Sequence, residues 1–595
     1  MSGIGRRAGI IAVTAAAAAV LLLAGYLLTA AFSGEEDTPI DCGGTVIYAE
    51  GEAVHSLSRF SGSGYAEELC PMLRTSPLTW LEGLWDFGAA KGHSASEKLA
   101  LMMYPEAGRL EMIARARSIE RQLETDEKIA EYYCAALDFG GIIGAQEAAA
   151  YYFGKPLFDL QETELSALKS IAENPGYYGL TPNELSEKRE FSDVKFSADF
   201  SASSVQGSFY RGLLSELRSV LGGLGVSSRE ADRLIYSEGL RVYSTMDISV
   251  QQRMDEVITN QDDPGFFQMA AVATDLRGRV LGCSGGIGNS ALDRTAISRS
   301  VGSAIKPLSV YAPAIEAQGA YWSQLLPDAP IDPVSGWPKN FDGKNDGNVT
   351  LAFALRRSKN TCAVYLLEEL GTERSASFLS AIGIKLGGSD RTDMGLGLGY
   401  LEDGITPLEL CAAYQIFGSG GIYTAPTYID KIELSDGTLL YEAPRDGKRV
   451  ISEETAYIVN RLMRSNVVMP DGLGNAAAID GVEVCGKTGT VDNSAGVVTD
   501  NWFAGVTPDY AAVVWVGSDD ENITHANGIT PAPAVVWRSI FSEIPTSGGF
   551  SCPDGVVAAE FCRVSGGLAS GGCTDLETGY FSKGALPEEC DIHSH

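Results

Sequence analysis

From Ala8 to Phe32 the chain carries no charged side chain, and this run dictates how everything after it can be disposed. Arg6 and Arg7 precede it; Glu35, Glu36 and Asp37 follow it. About 20 apolar residues cross a bilayer as a helix, so the run spans with tilt to spare. It exceeds the apolar region of a cleaved signal peptide and reads as a retained anchor. The arginines mark the cytoplasmic side. The expectation is a single-pass protein of the cell membrane with the bulk of the chain outside the cytoplasm.

A chain of 595 residues is expected to fold as two or three domains. Its 77 acidic against 45 basic residues give a net charge of −32, which repels phosphate backbones. No nucleic-acid partner is expected. Cys552, Cys562, Cys573 and Cys590 crowd the end of the chain at wide spacings with no histidine between them. That spacing argues against zinc and for one or two disulfides in an oxidising compartment, with the pairing left open. No metal and no cofactor are expected. Cys134, Cys362, Cys411 and Cys485 lie in apolar stretches and read as buried small hydrophobes.

Five regions follow from the texture of the chain. Residues 1–42 hold a cytoplasmic stub, the anchor and a short linker. Residues 43–187 read as a helix-rich, membrane-proximal domain, with helices over Asp126 to Leu137 and Glu162 to Glu173; in the second, Leu165, Leu168 and Ile171 recur at helical spacing. Asn174-Pro175-Gly176 breaks that pattern. Residues 188–243 read as a linker, polar as far as Gly207, then a helix over Phe209 to Gly222 and a strand at Leu240 to Ser244. Residues 244–545 mix helix and strand, and residues 546–595 form the cysteine-rich tail. Strands are expected at Met269 to Thr274, Val280 to Gly282, Val482 to Cys485, Trp502 to Val506 and Ala511 to Val516. Strands at both ends of one region with helices between imply an α+β domain, an antiparallel sheet flanked by helices and assembled from distant pieces.

Three short motifs carry chemistry. In Gly302-Ser303-Ala304-Ile305-Lys306-Pro307, a helix opened by Ser303 brings Lys306 onto the same face one turn on. A serine is a poor nucleophile until a base takes its proton, and a desolvated lysine can do so. Ser358-Lys359-Asn360 follows a helical run from Leu351 to Arg357, and Lys487-Thr488-Gly489-Thr490 follows the expected strand Val482 to Cys485. At a strand edge Lys487 can fix a carboxylate, Gly489 allows close backbone approach, and Thr490 can donate its N–H to an oxyanion. Each motif alone is weak. Together, in the order S-x-x-K, S-x-N, K-T-G, they form the signature of penicillin-interacting serine enzymes.

On these motifs residues 245–545 resemble the transpeptidase domain of the class A penicillin-binding proteins. Ser244-Thr245-Met246-Asp247, Thr406-Pro407-Leu408-Glu409-Leu410 with Ala413-Tyr414, Asn501-Trp502-Phe503-Ala504-Gly505, Thr507-Pro508-Asp509-Tyr510 and Val514-Trp515-Val516-Gly517 also follow that family. The resemblance implies Ser303 as the acylated nucleophile, Lys306 as its base and Ser358 as proton relay to the leaving amine. It implies Asn360 on the substrate amide, Lys487 and Thr488 on the terminal carboxylate, and an oxyanion hole from the N–H groups of Ser303 and Thr490. The implied partners are peptidoglycan stem peptides ending in D-alanyl-D-alanine, β-lactams, the membrane and a separate glycan polymerase. The tail, with Cys562, Ser565-Gly566, Cys573, Gly584, Pro587 and Cys590, is similar to the C-terminal extension of some Gram-positive members.

In that family a peptidoglycan glycosyltransferase precedes the transpeptidase, and residues 65–182 resemble it unevenly. Lys128 to Tyr133, Phe139-Gly140 and Ala148 to Lys155 follow it. The catalytic stretches do not. The first motif is best placed at Glu68, with Leu69, Met72 and Thr75 where the family has Asp, Phe and His. The second is reduced to Gly92-His93-Ser94-Ala95-Ser96-Glu97-Lys98. Glu111 holds the place of the third motif's acid, but Ala107 and Gly108 stand at its Arg-Lys pair, and Ala135 replaces the asparagine of the fourth. A vestigial glycosyltransferase with Glu68 and Glu111 as its remnants is the expectation.

The leading function is therefore a D,D-transpeptidase. The competing readings are a D,D-carboxypeptidase or β-lactamase, a bifunctional synthase, and a catalytically silent scaffold. Class A β-lactamases carry S-D-N, whereas Lys359 stands in the middle here, and no further carboxylate motif is evident to activate a deacylating water. The intact three motifs argue against the scaffold.

Overall fold

The computed structural model describes residues 45–57, 96, 99–100, 109–123, 129, 133, 139, 145–153, 160–173, 185, 188, 191, 193–196, 207–227, 231, 234–235, 239–261, 266–287, 292–493, 496–519 and 531–593. The expected anchor, Glu68 with the rest of the first glycosyltransferase motif, the second motif apart from Ser96, most of the Asp126 to Leu137 stretch and Cys134 lie outside the described residues. Among the described residues no helix is long and apolar enough to cross a membrane.

The fold is α+β, as the strand pattern implies. Its central sheet runs in the order Cys485–Asp492, Val498–Val506, Tyr510–Gly517, Gln268–Asp275, Val280–Ser284, all antiparallel. Both faces are covered, so Tyr510–Gly517 is buried at every position and reads as an unbroken apolar run rather than an alternation. The period of two survives in which core each residue joins. Ala511, Val513 and Trp515 pack toward the helices that carry the motifs, with Ala270 and Val272. Ala512, Val514 and Val516 pack on the other side against Trp537, Phe541 and Met254.

The strand carrying K-T-G starts at Cys485, not at Val482, and runs to Asp492, so Lys487, Thr488 and Gly489 lie inside it rather than after it. It was misplaced because Lys-Thr-Gly-Thr has no apolar pattern of its own; backbone pairing with Val498–Val506 makes it a strand.

A second sheet corrects the helix-rich reading of the region's start. Thr45–Ala49 and Glu52–Leu57 form a hairpin, and Thr45–Ala49 runs parallel to Leu240–Ser244, which in turn pairs with Ile429–Leu434. Thr45 Oγ1 accepts from Leu240 N and donates to Ile235 O, and Ser244 Oγ donates to Tyr48 O, which fastens the join. The helix Ser208–Gly223 buries Leu213, Leu217 and Leu221, one residue per turn, in the same core as the motif-bearing helices. The helix Glu162–Glu173 is present, and Leu168 and Ile171 pack with Phe139, Tyr152, Phe191 and Val194. Phe191 and Val194 thus join that core from the stretch read as polar linker.

The tail is a hairpin, Val556–Cys562 with Leu576–Ser582. Phe561 and Phe581 reach the main core, Tyr580 packs edge-on to Trp322, and Ser323 Oγ donates to Gly566 O at 2.5 Å. The four tail cysteines do not pair. Cys552 is exposed, while Cys562, Cys573 and Cys590 converge with His593. The spacing reading sought a histidine between the cysteines. His593 lies three residues beyond the last of them, in a Cys-x-x-His arrangement, and the fold brings the ends together.

Candidate active site

Ser303 sits in the 3-10 turn Gly302–Ile305, not at the start of an α-helix. The chain continues through a wider turn, Pro307–Tyr311, into the α-helix Ala312–Gln318, so Lys306 still points inward from one turn on. Tyr414 OH donates to Ala304 O at 2.5 Å, and Trp502 Nε1 donates to Ser300 O at 3.0 Å, which pin the turn from both sides. Tyr414 ends a helix, Pro407–Tyr414, opened by a reciprocal capping box of Thr406 and Glu409 with Pro407 at its first position. That accounts physically for Thr406-Pro407-Leu408-Glu409.

Glycines let the turn lie against the K-T-G strand. Gly302 has φ +53, and a Cβ on it would fall 2.4 Å from Thr490 O. A Cβ on Gly489 would fall 2.3 Å from Val301 O, and one on Gly399 2.2 Å from Gly302 O. The Thr490 backbone therefore abuts the residue before Ser303. Thr490 itself is exposed on the outer strand of the sheet, whose other backbone edge pairs with no strand among the described residues.

Ser358-Lys359-Asn360 occupies the break between two helices, Leu351–Arg356 and Asn360–Leu370. Ser358 has φ +56, a left-handed conformation that costs a non-glycine residue about 1 to 3 kcal/mol and recurs at functional sites. Lys359 turns away from Ser358 and is buried among Asp346 at 2.7 Å, Asp328 at 3.1 Å and Asp342 at 3.4 Å. Burial opposes its charge, but the bonds to Asp346 and Asp328 outweigh that and raise its pKa. Asn340 Oδ1 accepts from Asn360 N at 2.8 Å, and Asn360 Nδ2 donates to Lys339 O at 2.8 Å, so the amide is held from the same loop.

The three motifs meet at two lysines. Lys306 Nζ donates to Asn360 Oδ1 at 2.6 Å, to Ser358 O at 2.8 Å and to Ser358 Oγ at 3.4 Å. Lys487 Nζ donates to Ser358 Oγ at 2.9 Å and to Thr488 O at 3.0 Å. Among the described residues no hydrogen bond joins Ser303 Oγ to Lys306 Nζ; Ser303 is partly exposed while both lysines are buried. Burial, then the neighbouring charge of Lys487, lowers the Lys306 pKa well below the usual lysine value. Burial alone brings Lys487 to about 7. An amine that is neutral near neutral pH can accept a proton, and one that retains charge can hold an anion.

Several supporting groups left no motif in the sequence. Arg299 stacks on Trp515 at 4.3 Å and pairs with Asp519 at 2.6 Å and Asp500 at 3.4 Å, while Trp515 Nε1 donates to Asp500 at 2.8 Å. Arg356, two residues before Ser358, is buried between Asp471 at 3.0 Å and Glu577 of the tail at 2.9 Å. The charges come from segments far apart in the chain, and only the fold joins them.

Three family descriptions match this chain. Residues 269–541 match "Penicillin binding protein transpeptidase domain", residues 106–194 match "Transglycosylase", and residues 552–595 match "Penicillin-binding protein 1A, C-terminal domain". The chain belongs to the class A penicillin-binding proteins. Penicillin-binding protein 1A of Clostridium tetani is 29% identical over 544 residues, 79% of this chain and 68% of that protein. Penicillin-binding protein 1F of Bacillus subtilis is 30% identical over 461 residues, 73% of this chain and 63% of that protein. In fold, the chain is similar to penicillin-binding protein 1A of Haemophilus influenzae (TM-score 0.55, 18% identity, 92% of this chain and 99% of that one). It is also similar to the penicillin-binding protein PonA1 from Mycobacterium tuberculosis (TM-score 0.51, 23% identity, 58% of this chain and 95% of that one). As in other penicillin-binding proteins of class A, a transglycosylase-like region precedes the transpeptidase domain. Of its two candidate remnants, Glu111 lies on the helix Arg109–Leu123 inside the matched residues, and Glu68 lies before them.

Proposed function

We propose that this penicillin-binding protein is a membrane-anchored D,D-transpeptidase that cross-links peptidoglycan stem peptides through a Ser303 acyl-enzyme. The observation that carries this reading is the meeting of Lys306 and Lys487 on Ser358, beside the Ser303 turn. Lys306, its pKa lowered by burial, takes the Ser303 hydroxyl proton as Oγ attacks the penultimate D-alanyl carbonyl carbon. The negative oxygen that forms is stabilised by the N–H groups of Ser303 and Thr490. The peptide C–N bond breaks, the proton passes through Ser358 to the departing D-alanine amine, and an ester to Ser303 remains. The amine of a second stem peptide then attacks the ester carbonyl carbon, the C–O bond to Ser303 breaks as the new peptide bond forms, and the amine's proton returns by the same route to Ser303 Oγ. Asn360 positions the substrate amide, and Lys487 with Thr488 binds the terminal carboxylate. The free edge of Cys485–Asp492 offers backbone groups to an extended peptide. β-Lactams enter the same path and stop at the ester.

Exposure to penicillin followed by intact-mass measurement tests this. One covalent adduct is expected, absent in Ser303→Ala; an adduct that persists in that variant overturns the assignment. The apolar run 8–32 supports a single-pass membrane anchor with the rest of the chain outside the cytoplasm. Substitutions at the motif positions support an inactive glycosyltransferase half that relies on a separate polymerase. The transglycosylase match over residues 106–194 favours a second reading, a bifunctional synthase.

A further inference from the structure

The tail holds a side-chain cluster that the transpeptidase reaction does not use. His593 Nδ1 lies 3.4 Å from Cys562 Sγ, 3.7 Å from Cys573 Sγ and 3.4 Å from Cys590 Sγ. All four ligand atoms fall within 4.8 Å of one another. A zinc ion bound tetrahedrally, at about 2.3 Å from sulfur and about 2.0 Å from nitrogen, separates a sulfur and a nitrogen ligand by about 3.5 Å. The observed spacings bracket that value. We propose that Cys562, Cys573, Cys590 and His593 form a structural zinc site that closes the C-terminal hairpin.

The backbone is built around the same point. Cys562 ends the first hairpin strand, and its N–H donates to Gly567 O at 2.9 Å. Leu568 N donates to Glu588 O and Leu568 O accepts from Cys590 N, both at 2.8 Å, which ties the loop after Cys562 to the segment bearing Cys590 and His593. Ser570 N donates to Cys573 Sγ at 3.4 Å, the kind of backbone bond that steadies a metal-bound thiolate. Two glycines let the strands of chain close: a Cβ on Gly572 would fall 2.1 Å from His593 O, and one on Gly567 2.9 Å from Glu588 O.

Three thiolates and one imidazole are the donor set of closed, structural zinc sites, with no position left for a substrate. Binding releases one proton from each of the three thiols, and Nδ1 of a neutral imidazole completes the shell. An alternative disulfide uses two of the three sulfurs and strands the third. A zinc site uses all three, and Cys552, exposed and outside the cluster, remains a free thiol.

The test uses the full-length protein in detergent, purified without a metal-affinity tag and dialysed against zinc-free buffer. Elemental analysis should find one zinc per chain in the wild type and in Cys552→Ser, and a loss of most of it in Cys590→Ser and His593→Ala. After removal of zinc by a chelator, Co²⁺ added alone should produce the visible bands of a tetrahedral thiolate complex in wild type and Cys552→Ser. Chelation should also lower the melting temperature of wild type, which keeps the proposal testable if Cys590→Ser folds poorly. Absence of stoichiometric zinc together with a disulfide among Cys562, Cys573 and Cys590 on non-reduced peptide mapping would overturn it. So would zinc retained in both Cys590→Ser and His593→Ala.

Discussion

Lys487 Nζ donates a hydrogen bond to Ser358 Oγ at 2.9 Å, so the strand motif and the inter-helix motif share one hydroxyl. Lys306 reaches the same hydroxyl from the other side at 3.4 Å. Two buried amines facing one small acceptor cannot both carry full charge comfortably; the lowered pKa of Lys306 expresses the loss of water and then that crowding, while burial alone lowers that of Lys487.

The pH dependence of acylation follows from Lys487. In the free protein its ammonium loses charge as pH rises through about 7. A carboxylate-bearing penicillin should therefore show a second-order acylation rate that falls about tenfold per pH unit above that point. The methyl ester of the same penicillin has no carboxylate to lose and should lack the fall. Profiles of the same shape for acid and ester would exclude Lys487 as the carboxylate's partner. Lys487→Ala should in turn weaken acylation by the free acid by about 1.5 to 3 kcal/mol, the strength of a charge-assisted hydrogen bond.

Removal of the base is a separate measurement. Lys306→Ala should slow penicillin acylation by about 10² to 10⁴, because Ser303 then has no neighbouring proton acceptor. Stopped-flow labelling with a fluorescent penicillin reads this directly, and a loss under tenfold would point to a different base.

The closeness of the Ser303 turn to the K-T-G strand is testable at Gly302. Alanine there must adopt a φ of +53 and place its Cβ 2.4 Å from Thr490 O. Gly302→Ala should be destabilised by about 1 to 3 kcal/mol, and the turn should back away from Thr490. Acylation should then fall with little change in noncovalent affinity for a carboxylate ligand. Wild-type acylation rates in this variant would show that the contact is dispensable.

The tail should be felt through Arg356. Its side chain is 2% exposed, and Glu577 supplies one of its two carboxylates. Glu577→Ala leaves that guanidinium underpaired and should cost about 3 kcal/mol in chemical denaturation, moderated by Asp471. Glu560→Ala, an exposed position on the facing strand, should stay within about 0.5 kcal/mol. Equal losses in the two variants would refute a specific role for the pair.

Glycan polymerisation separates the two readings of the transglycosylase-like region. Transfer from a lipid-linked donor needs a carboxylate base and cations for the departing pyrophosphate. With Leu69, Ala107 and Gly108 at motif positions, the full-length protein in detergent should form no glycan chains from purified lipid-linked disaccharide. Chains that appear, and vanish in Glu68→Gln, would establish a bifunctional synthase.

Much of this was legible before any coordinates. Ser303, Lys306, Ser358, Asn360 and Lys487 are set by short spacings, and the sheet of distant strands announced itself in Met269 to Thr274 and Ala511 to Val516. What stayed hidden is non-local. Lys359 reads only as the middle residue of a motif, yet it is caged by Asp328, Asp342 and Asp346, which precede it in the chain. Arg299 finds Asp500 and Asp519 across the sheet. His593 meets Cys562 and Cys573 only where the hairpin folds back, which a linear reading of spacings does not see. Thr45–Ala49 has a local hairpin partner in Glu52–Leu57, but its second partner, Leu240–Ser244, lies almost two hundred residues away, and that pairing has no trace in the sequence.

That parallel pairing has a mechanical consequence. Because Thr45–Ala49 and Leu240–Ser244 are neighbours in one sheet, the chain that departs after the hairpin strand Glu52–Leu57 comes back beside its own start. Leu240–Ser244 pairs on its other side with Ile429–Leu434, so the beginning of the chain and the transpeptidase region share one backbone ladder, and a pull on either is passed to the other through hydrogen bonds rather than through a loop.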